Sequence, residues 1–275
     1  MENQEISSFE KFTDKAELYA KYRPHYPDEF IEYLCDDIGI SPYSIVADIG
    51  SGTGILSRQL LEQGCKVYCI EPNSSMRRHA EHTLSGFSNF VSVNAMAENT
   101  GLSDESIDFI TVAQAFHWFD LQKFRQECQR ILKPGGKVIL VWNSKVEDDP
   151  VTMERERICR ECCPDFKGSA GGQGTAGLGN AERMKARPID RSAERPDNCT
   201  AFFRDGIFEM KEFVNDFYGD LDSFLGGNLS SSYAPKKSDG NYTAFVESLT
   251  GLFHRYSKDG QLLTRNVTRS YVGEV

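Results

Sequence analysis

The stretch Val46-Ala47-Asp48-Ile49-Gly50-Ser51-Gly52-Thr53-Gly54 decides how this chain folds. An apolar run closes on a carboxylate, glycine then recurs at alternate positions, and Ile55-Leu56 opens an amphipathic segment that stops at Gly64. Strands buried on both faces read as unbroken apolar runs. Glycines at the end of such a run let the backbone turn sharply and bring it within contact of a ligand. The segment therefore predicts strand, tight turn and helix, with Gly50, Ser51, Gly52, Thr53 and Gly54 as ligand-contacting positions and Asp48 beneath them.

The same alternation continues on the carboxy-terminal side. Strands are expected at 45–49, 66–70, 90–93, 107–113 and 137–142, with helical stretches between them. That order implies an α/β fold whose mostly parallel sheet carries helices on both faces. One helix begins after Asp120 as N-cap and puts Leu121, Phe124, Cys128, Ile131 and Leu132 on one stripe, with Pro134 and Gly135 as its stop. Residues 16–34 predict one or two helices broken at Pro24 and Pro27, where proline lacks the donor a helix needs, and these would lie over the sheet edge as a lid. The glycine- and serine-rich run that starts near residue 167 has no period, so a mobile loop is expected over 167–200. Beyond it come a strand at 208–217, a helix at 242–256 with Phe245, Leu249, Leu252, Phe253 and Tyr256 inward, and a last strand at 262–272.

Composition narrows the function. The 275 residues include 31 basic and 41 acidic side chains, for a net charge of −10, which disfavours nucleic acid as a partner. No apolar run approaches the roughly 18 residues of a membrane span, so no membrane role is expected. The polar, acidic start differs from a basic and apolar export signal, and the eight scattered cysteines fit reduced thiols in a cytoplasm. Cys159, Cys162 and Cys163 form half of a zinc pattern, with Cys199 distant; the other half is missing, so no metal is expected.

Glu71, in Ile70-Glu71-Pro72-Asn73, ends the second strand. A carboxylate there can accept both hydroxyls of a ribose. A dinucleotide fingerprint would need a third glycine where Ile55 stands, which counts against a nicotinamide-linked oxidoreductase.

Taken in order, Asp48-x-Gly50-x-Gly52-x-Gly54, Glu71, Ala97-Glu98, Gln114-Ala115-Phe116-His117-Trp118-Phe119-Asp120 and Leu132-Lys133-Pro134-Gly135-Gly136 resemble the class I S-adenosylmethionine-dependent methyltransferases. The likeness is to the type 11 branch that includes trans-aconitate methyltransferase-like proteins. Tyr19-x-Lys21-Tyr22-Arg23-Pro24-x-Tyr26-Pro27 is similar to that branch's amino-terminal lid, and Ser231-Ser232-Tyr233-Ala234-Pro235 to part of its carboxy-terminal region.

The resemblance implies one Rossmann-like domain with a seven-stranded, mostly parallel sheet and an antiparallel last strand. Its parts would be lid helices over 1–34, a cofactor-binding core over 35–150, a sixth strand and helical cap over 151–257, and the final strand over 258–275. S-adenosyl-L-methionine would be the cofactor and S-adenosyl-L-homocysteine the product. Gly50, Ser51, Gly52, Thr53 and Gly54 would wrap the methionine tail, with Asp48 orienting its ammonium. Glu71, Pro72 and Asn73 would hold the ribose. Met76, Met96, Ala97 and Glu98 would flank the adenine, and Gln114, Ala115 and Phe116 would reach the sulfonium, with Tyr19 and Arg23 closing from the lid.

The acceptor is expected to be a small molecule, a carboxylic acid by family analogy, with Arg23 as its clamp. His117 is the candidate base for a hydroxyl, amine or carbon acid. Plainer alternatives are a packing role for His117 and a lid-tying role for Arg23. At the level of function, the rivals are a non-catalytic binder of the same cofactor and the oxidoreductase.

Overall fold

The computed structural model describes residues 15–166, 168 and 194–275. Most of the loop expected over 167–200, and the polar start of the chain, lie outside the described residues. The end of that expected loop is corrected: Glu194–Phe202 is a helix, and its Cys199 and Phe202 are buried.

The described residues form nine strands: β1 (Ile45–Ile49), β2 (Lys66–Ile70), β3 (Phe90–Val93), β4 (Ile107–Ala113), β5 (Leu132–Lys145), β6 (Glu209–Val214), β7 (Phe217–Gly219), β8 (Leu262–Thr264) and β9 (Asn266–Gly273). Seven of them build one sheet in the order β3-β2-β1-β4-β5-β9-β6, while β7 and β8 pair separately. Strands β3, β2, β1, β4 and β5 are mutually parallel. Strand β9, lodged between β5 and β6, runs antiparallel to both. The fold class is the one expected. From β1 the chain builds outward through β2 and β3, then returns to the other side of β1 with β4. Such a reversal leaves a crevice beyond the carboxyl ends of the strands.

The helices are α1 (Ala16–Tyr22), α2 (Asp28–Asp36), α3 (Ile55–Glu62), α4 (Ser74–Thr83), α5 (Leu121–Ile131), α6 (Pro150–Cys162), α7 (Glu194–Phe202), α8 (Leu221–Leu229) and α9 (Tyr242–Tyr256). The expected starts and stops have their chemistry. Asp120 caps α5 by accepting from Lys123 N–H at 3.1 Å, and Gly64 follows α3 with φ +88°. Apolar alternation along the strands divides the core. Ala47 and Ile49 face α5 and α7, whereas Val46 faces α2 and α3. A third cluster, from α6, α8 and α9, forms a cap of its own around Phe245 and Leu249.

Three boundaries differ from expectation. Strand β5 starts directly at the end of α5, five residues early; the segment around Pro134 and Gly135 is taken up as a register shift against β4 rather than a break. It also runs three residues late, because β9 continues to pair with it as far as Lys145 opposite Asn266. The strands expected at 208–217 and 262–272 are each split by one corner. There Asn215 N–H donates to Asn266 O, and Asn266 N–H donates to the Asp216 carboxylate.

One buried group ties the middle of the sheet to the helix after β1. The Asp48 carboxylate accepts from Ser57 Oγ of α3 at 2.5 Å and from Thr111 Oγ1 of β4 at 2.8 Å. Only 1% of the residue is exposed, and burial raises its pKa to about 6, against the two hydroxyl bonds that lower it. The native state therefore holds this proton to higher pH than the unfolded chain, so stability falls as pH rises from about 4 to about 6 and the cost is complete above that. Asp48→Asn should remove this dependence. Urea midpoints should move in the variant's favour across that window, by up to ~3 kcal/mol, and run parallel above it.

The ring stack of Phe202 on Phe124, with centroids 5.5 Å apart, anchors α7. Phe202→Ala should cost about 3–5 kcal/mol in the same assay.

Candidate functional site

Beyond the carboxyl ends of β1, β2 and β4 lies a cavity of about 110 Å³. Its wall is built from Tyr19, Gly50, Gly52, Glu71, Pro72, Asn73, Met76, Met96, Ala97, Glu98, Gln114 and Ala115, twelve of the residues singled out from sequence, together with Ala113, Trp118 and Phe119. They converge because β1 and β2 are paired with Ile49 opposite Ile70, so the two loops that follow leave side by side.

Glu71 is the polar centre of this wall. One of its oxygens accepts from Gly52 N–H at 2.9 Å and the other from Asn73 N–H at 2.8 Å. An ionised carboxylate offers about four acceptor positions, so roughly two remain for a ligand's hydroxyls. Burial raises the Glu71 pKa, and the two backbone donors and Arg77 pull it back. Asn73 also caps α4, accepting from Ser75 and Met76 N–H at 3.0 and 3.1 Å, which fixes Met76 against the cavity.

The glycine loop turns its first donors toward the end of β2. Gly50 and Ser51 both donate to Ile70 O, at 2.8 and 3.1 Å. What the loop offers a ligand is therefore closeness. A Cβ on Gly50, where φ is +69°, would stand 2.5 Å from the Ala115 Cβ. The hydroxyls Ser51 Oγ and Thr53 Oγ1 are buried in the loop and have no hydrogen-bond partner among the described residues.

Several expected contacts are redistributed. Asp48 is below the loop but does not line the cavity, its carboxylate being engaged by Ser57 and Thr111. Gly54 faces the other way: a Cβ there would meet Leu84 at 2.7 Å, so this glycine serves the close approach of α3 to the end of α4. Ser51 and Thr53 are also off the cavity wall. Phe116 is core, edge-on to Phe202 at 5.0 Å and to Trp142 at 6.0 Å.

A second cavity, of about 920 Å³, opens on the same side and shares Tyr19, Gln114 and Trp118 with the first. Both Arg23 and His117 belong to this larger space. His117 sits in a single 3-10 turn with its ring 4.8 Å from that of Trp118. Arg23 donates to Ser230 Oγ at 3.0 Å and Ser231 Oγ at 3.2 Å, so hydroxyls rather than a carboxylate tie it to the cap. Tyr22 reinforces that tie by donating to Asp222 of α8 at 2.7 Å. At the junction, Gln114 is held in the left-handed region at φ +59° and donates to Asn143 O at 3.1 Å. A non-glycine residue kept there by its surroundings is characteristic of functional sites.

The larger cavity also contains groups that sequence reasoning passed over: Lys15, Lys145 and Arg155. Lys145 was missed because β5 outruns its apolar core. Arg155 lies in Met-Glu-Arg-Glu-Arg, where nothing local separates it from its exposed neighbour Arg157. The described residues contain no group of three or more potential metal ligands, and no helix long and apolar enough to cross a membrane.

Comparison with known proteins agrees with this geometry. Residues 47–140 match the family profile of a methyltransferase domain. An uncharacterized methyltransferase of Mycobacterium tuberculosis is 36% identical over 136 residues, covering 50% of this chain and 53% of its own. The chain thus spans about half the length of the curated relatives it matches. A solved chain from Anaeromyxobacter dehalogenans, described as a type II methyltransferase, superposes with a TM-score of 0.58 at 22% identity, over 92% of this chain and 98% of that one. A phosphoethanolamine N-methyltransferase of Haemonchus contortus, solved with S-adenosylhomocysteine, gives 0.52 at 15% identity, over 95% of this chain and 57% of its own. Residues 47–140 thus resemble a methyltransferase domain, and the seven-stranded sheet that holds them has the fold of the superposed chains.

Proposed function

We propose that this chain is an S-adenosylmethionine-dependent methyltransferase acting on a small-molecule acceptor, a carboxylic acid by the family analogy, in a reducing compartment such as the cytoplasm. The observation that carries the donor half of this reading is the adjacency of Glu71 and Gly52 on one cavity wall. The residues present fit the cofactor. Glu71 has acceptor capacity left for ribose hydroxyls, Met76, Met96, Ala97 and Glu98 supply a flat and partly polar seat for adenine, and Gly50 leaves the room of a missing Cβ beside Ala115. When bound, S-adenosylmethionine supplies a methyl group already activated by a positive sulfur.

The chain's own task is then alignment and exclusion of water. Gln114, Tyr19 and Trp118, common to both cavities, would hold the acceptor in line with the methyl group. The face of Trp118 suits a sulfonium at the junction. For a carboxylate acceptor no base is needed and Arg23 positions the oxygen. For an acceptor that must lose a proton, His117 stands on the wall of the acceptor cavity.

Calorimetric titration should show binding of both S-adenosylmethionine and S-adenosylhomocysteine, and failure of both would remove this reading. Turnover against an acceptor panel separates an enzyme from a non-catalytic binder. Glu71→Gln should weaken S-adenosylhomocysteine binding about 10- to 100-fold, the size expected when charge-assisted hydrogen bonds to two hydroxyls become neutral ones. Unchanged affinity would take Glu71 out of the site.

A further inference from the structure

We infer that strand β6 is a docking edge for a second copy of this chain: two β6 strands pair antiparallel about Met210, with Glu209 of each copy opposite Lys211 of the other.

Strand β6 ends the seven-stranded sheet, and among the described residues only β9 pairs with it. That pairing runs from Glu209 to Val214 without a register shift, so the outer side of β6 is an intact template for another strand. Which groups face outward follows from two contacts. Asn215 N–H donates to Asn266 O, and Ile207 O lies so close to Gly273 that a Cβ there would meet it at 2.8 Å. Backbone groups along an antiparallel strand alternate between its two sides. The odd-numbered residues therefore address β9, while Phe208, Met210, Glu212 and Val214 turn N–H and C=O outward.

Apolar surface gathers on the same edge. Of the seven large apolar side chains exposed among the described residues, Ile207, Met210, Val214 and Tyr218 lie within 207–218 and are 52% to 75% exposed. The opposite edge, β3 (Phe90–Val93), carries none of these side chains. An unpaired edge with such a surface is suited to receiving a strand.

The charges decide which strand. Even-numbered residues must meet even-numbered ones for the outward groups to bond, so a self-pair that overlaps most of β6 centres on Met210, Lys211 or Glu212. Centring on Lys211 sets that cation against its own copy, and centring on Glu212 does the same for the carboxylate. Centring on Met210 brings Glu209 opposite Lys211 twice and Ile207 opposite Phe213 twice. These pairs fall on the face where Tyr33 and Asp37 contact Glu209 and Lys211, and Met210 meets Met210 on the other face. Opposite-charge and apolar cross-strand pairs stabilise, whereas like charges directly opposite do the reverse. Glu212 then meets Phe208 and keeps its own Arg269 as counter-ion. Charges on an edge strand ordinarily discourage pairing; this set discourages the other two centres and selects Met210. The N–H groups of Phe208, Met210 and Glu212 in both copies gain partners, and the two seven-stranded sheets become one.

The test is sedimentation velocity on the full chain at about 1 to 300 µM, the range suited to a small interface. A monomer–dimer equilibrium is expected, with hydrogen exchange at the Met210 and Glu212 amides slowing as concentration rises. Glu209→Lys and Lys211→Glu should each weaken the dimer about ten-fold or more. Mixed in equal amounts, the two variants should recover wild-type association, because the lysines of one then face the glutamates of the other. Damage to the fold cannot produce that recovery. Met210→Pro removes an outward donor, which an edge strand tolerates, and should abolish association. It decides the matter if the charge variants do not fold. A chain monomeric throughout the series, a dimer that leaves the two amides unprotected or is indifferent to Met210→Pro, or charge variants that associate alone like wild type or stay apart when mixed, would overturn the inference.

Discussion

The hydrogen bond from Gly52 N–H to the Glu71 carboxylate is where the molecule's architecture and its chemistry meet. It exists because β1 and β2 are parallel neighbours in register, so the turn after Ile49 and the residue after Ile70 emerge next to one another. A buried carboxylate needs donors, and the loop supplies one while Asn73 supplies the other. The loop is thereby fixed, and the carboxylate keeps acceptor positions in reserve. Gly50 completes the arrangement, since any side chain there would drive into Ala115 and separate β1 from the turn after β4.

From that point the site extends in one direction. Tyr19, Gln114 and Trp118 form the passage from the small cavity to the large one, and each comes from a different part of the chain: the first helix, the end of β4 and the 3-10 turn after it. The strained backbone of Gln114 is sustained by bonds from both its main chain and its side chain to β5. The small cavity is walled around the Glu71 carboxylate and the larger one carries several cations on its wall, so the two differ in electrostatic character within one crevice.

Much of this was legible in the residues because it depends on local patterns. Short β-branched runs marked β1 to β4 to the residue, and Asp120 and Gly64 marked helix ends through capping chemistry that needs only a few neighbours. Twelve of the expected positions share one cavity wall, most of them because they follow strand ends, and parallel strands deliver their ends to one edge. Where the cavity wall departs from the expected set, a distant partner had decided. Asp48 serves Thr111, far along the chain, and Gly54 serves Leu84, so neither role is written in the loop itself. Phe116 was drawn into the core by Phe202 of a helix that composition had assigned to a loop.

The sequence alone determined the strand-turn-helix unit around Asp48 to Gly54, the parallel alternation that follows and the acidic partner at Glu71, since propensity, periodicity and turn chemistry act over short range. Only the tertiary structure decided the larger cavity. Lys145 reaches it because β9 pairs with β5 beyond its apolar stretch, and Arg155 reaches it because α6 packs against α9 in the cap. A charge on a helix reads the same whether it faces water or a cavity, and what it faces is set by elements far away in the chain.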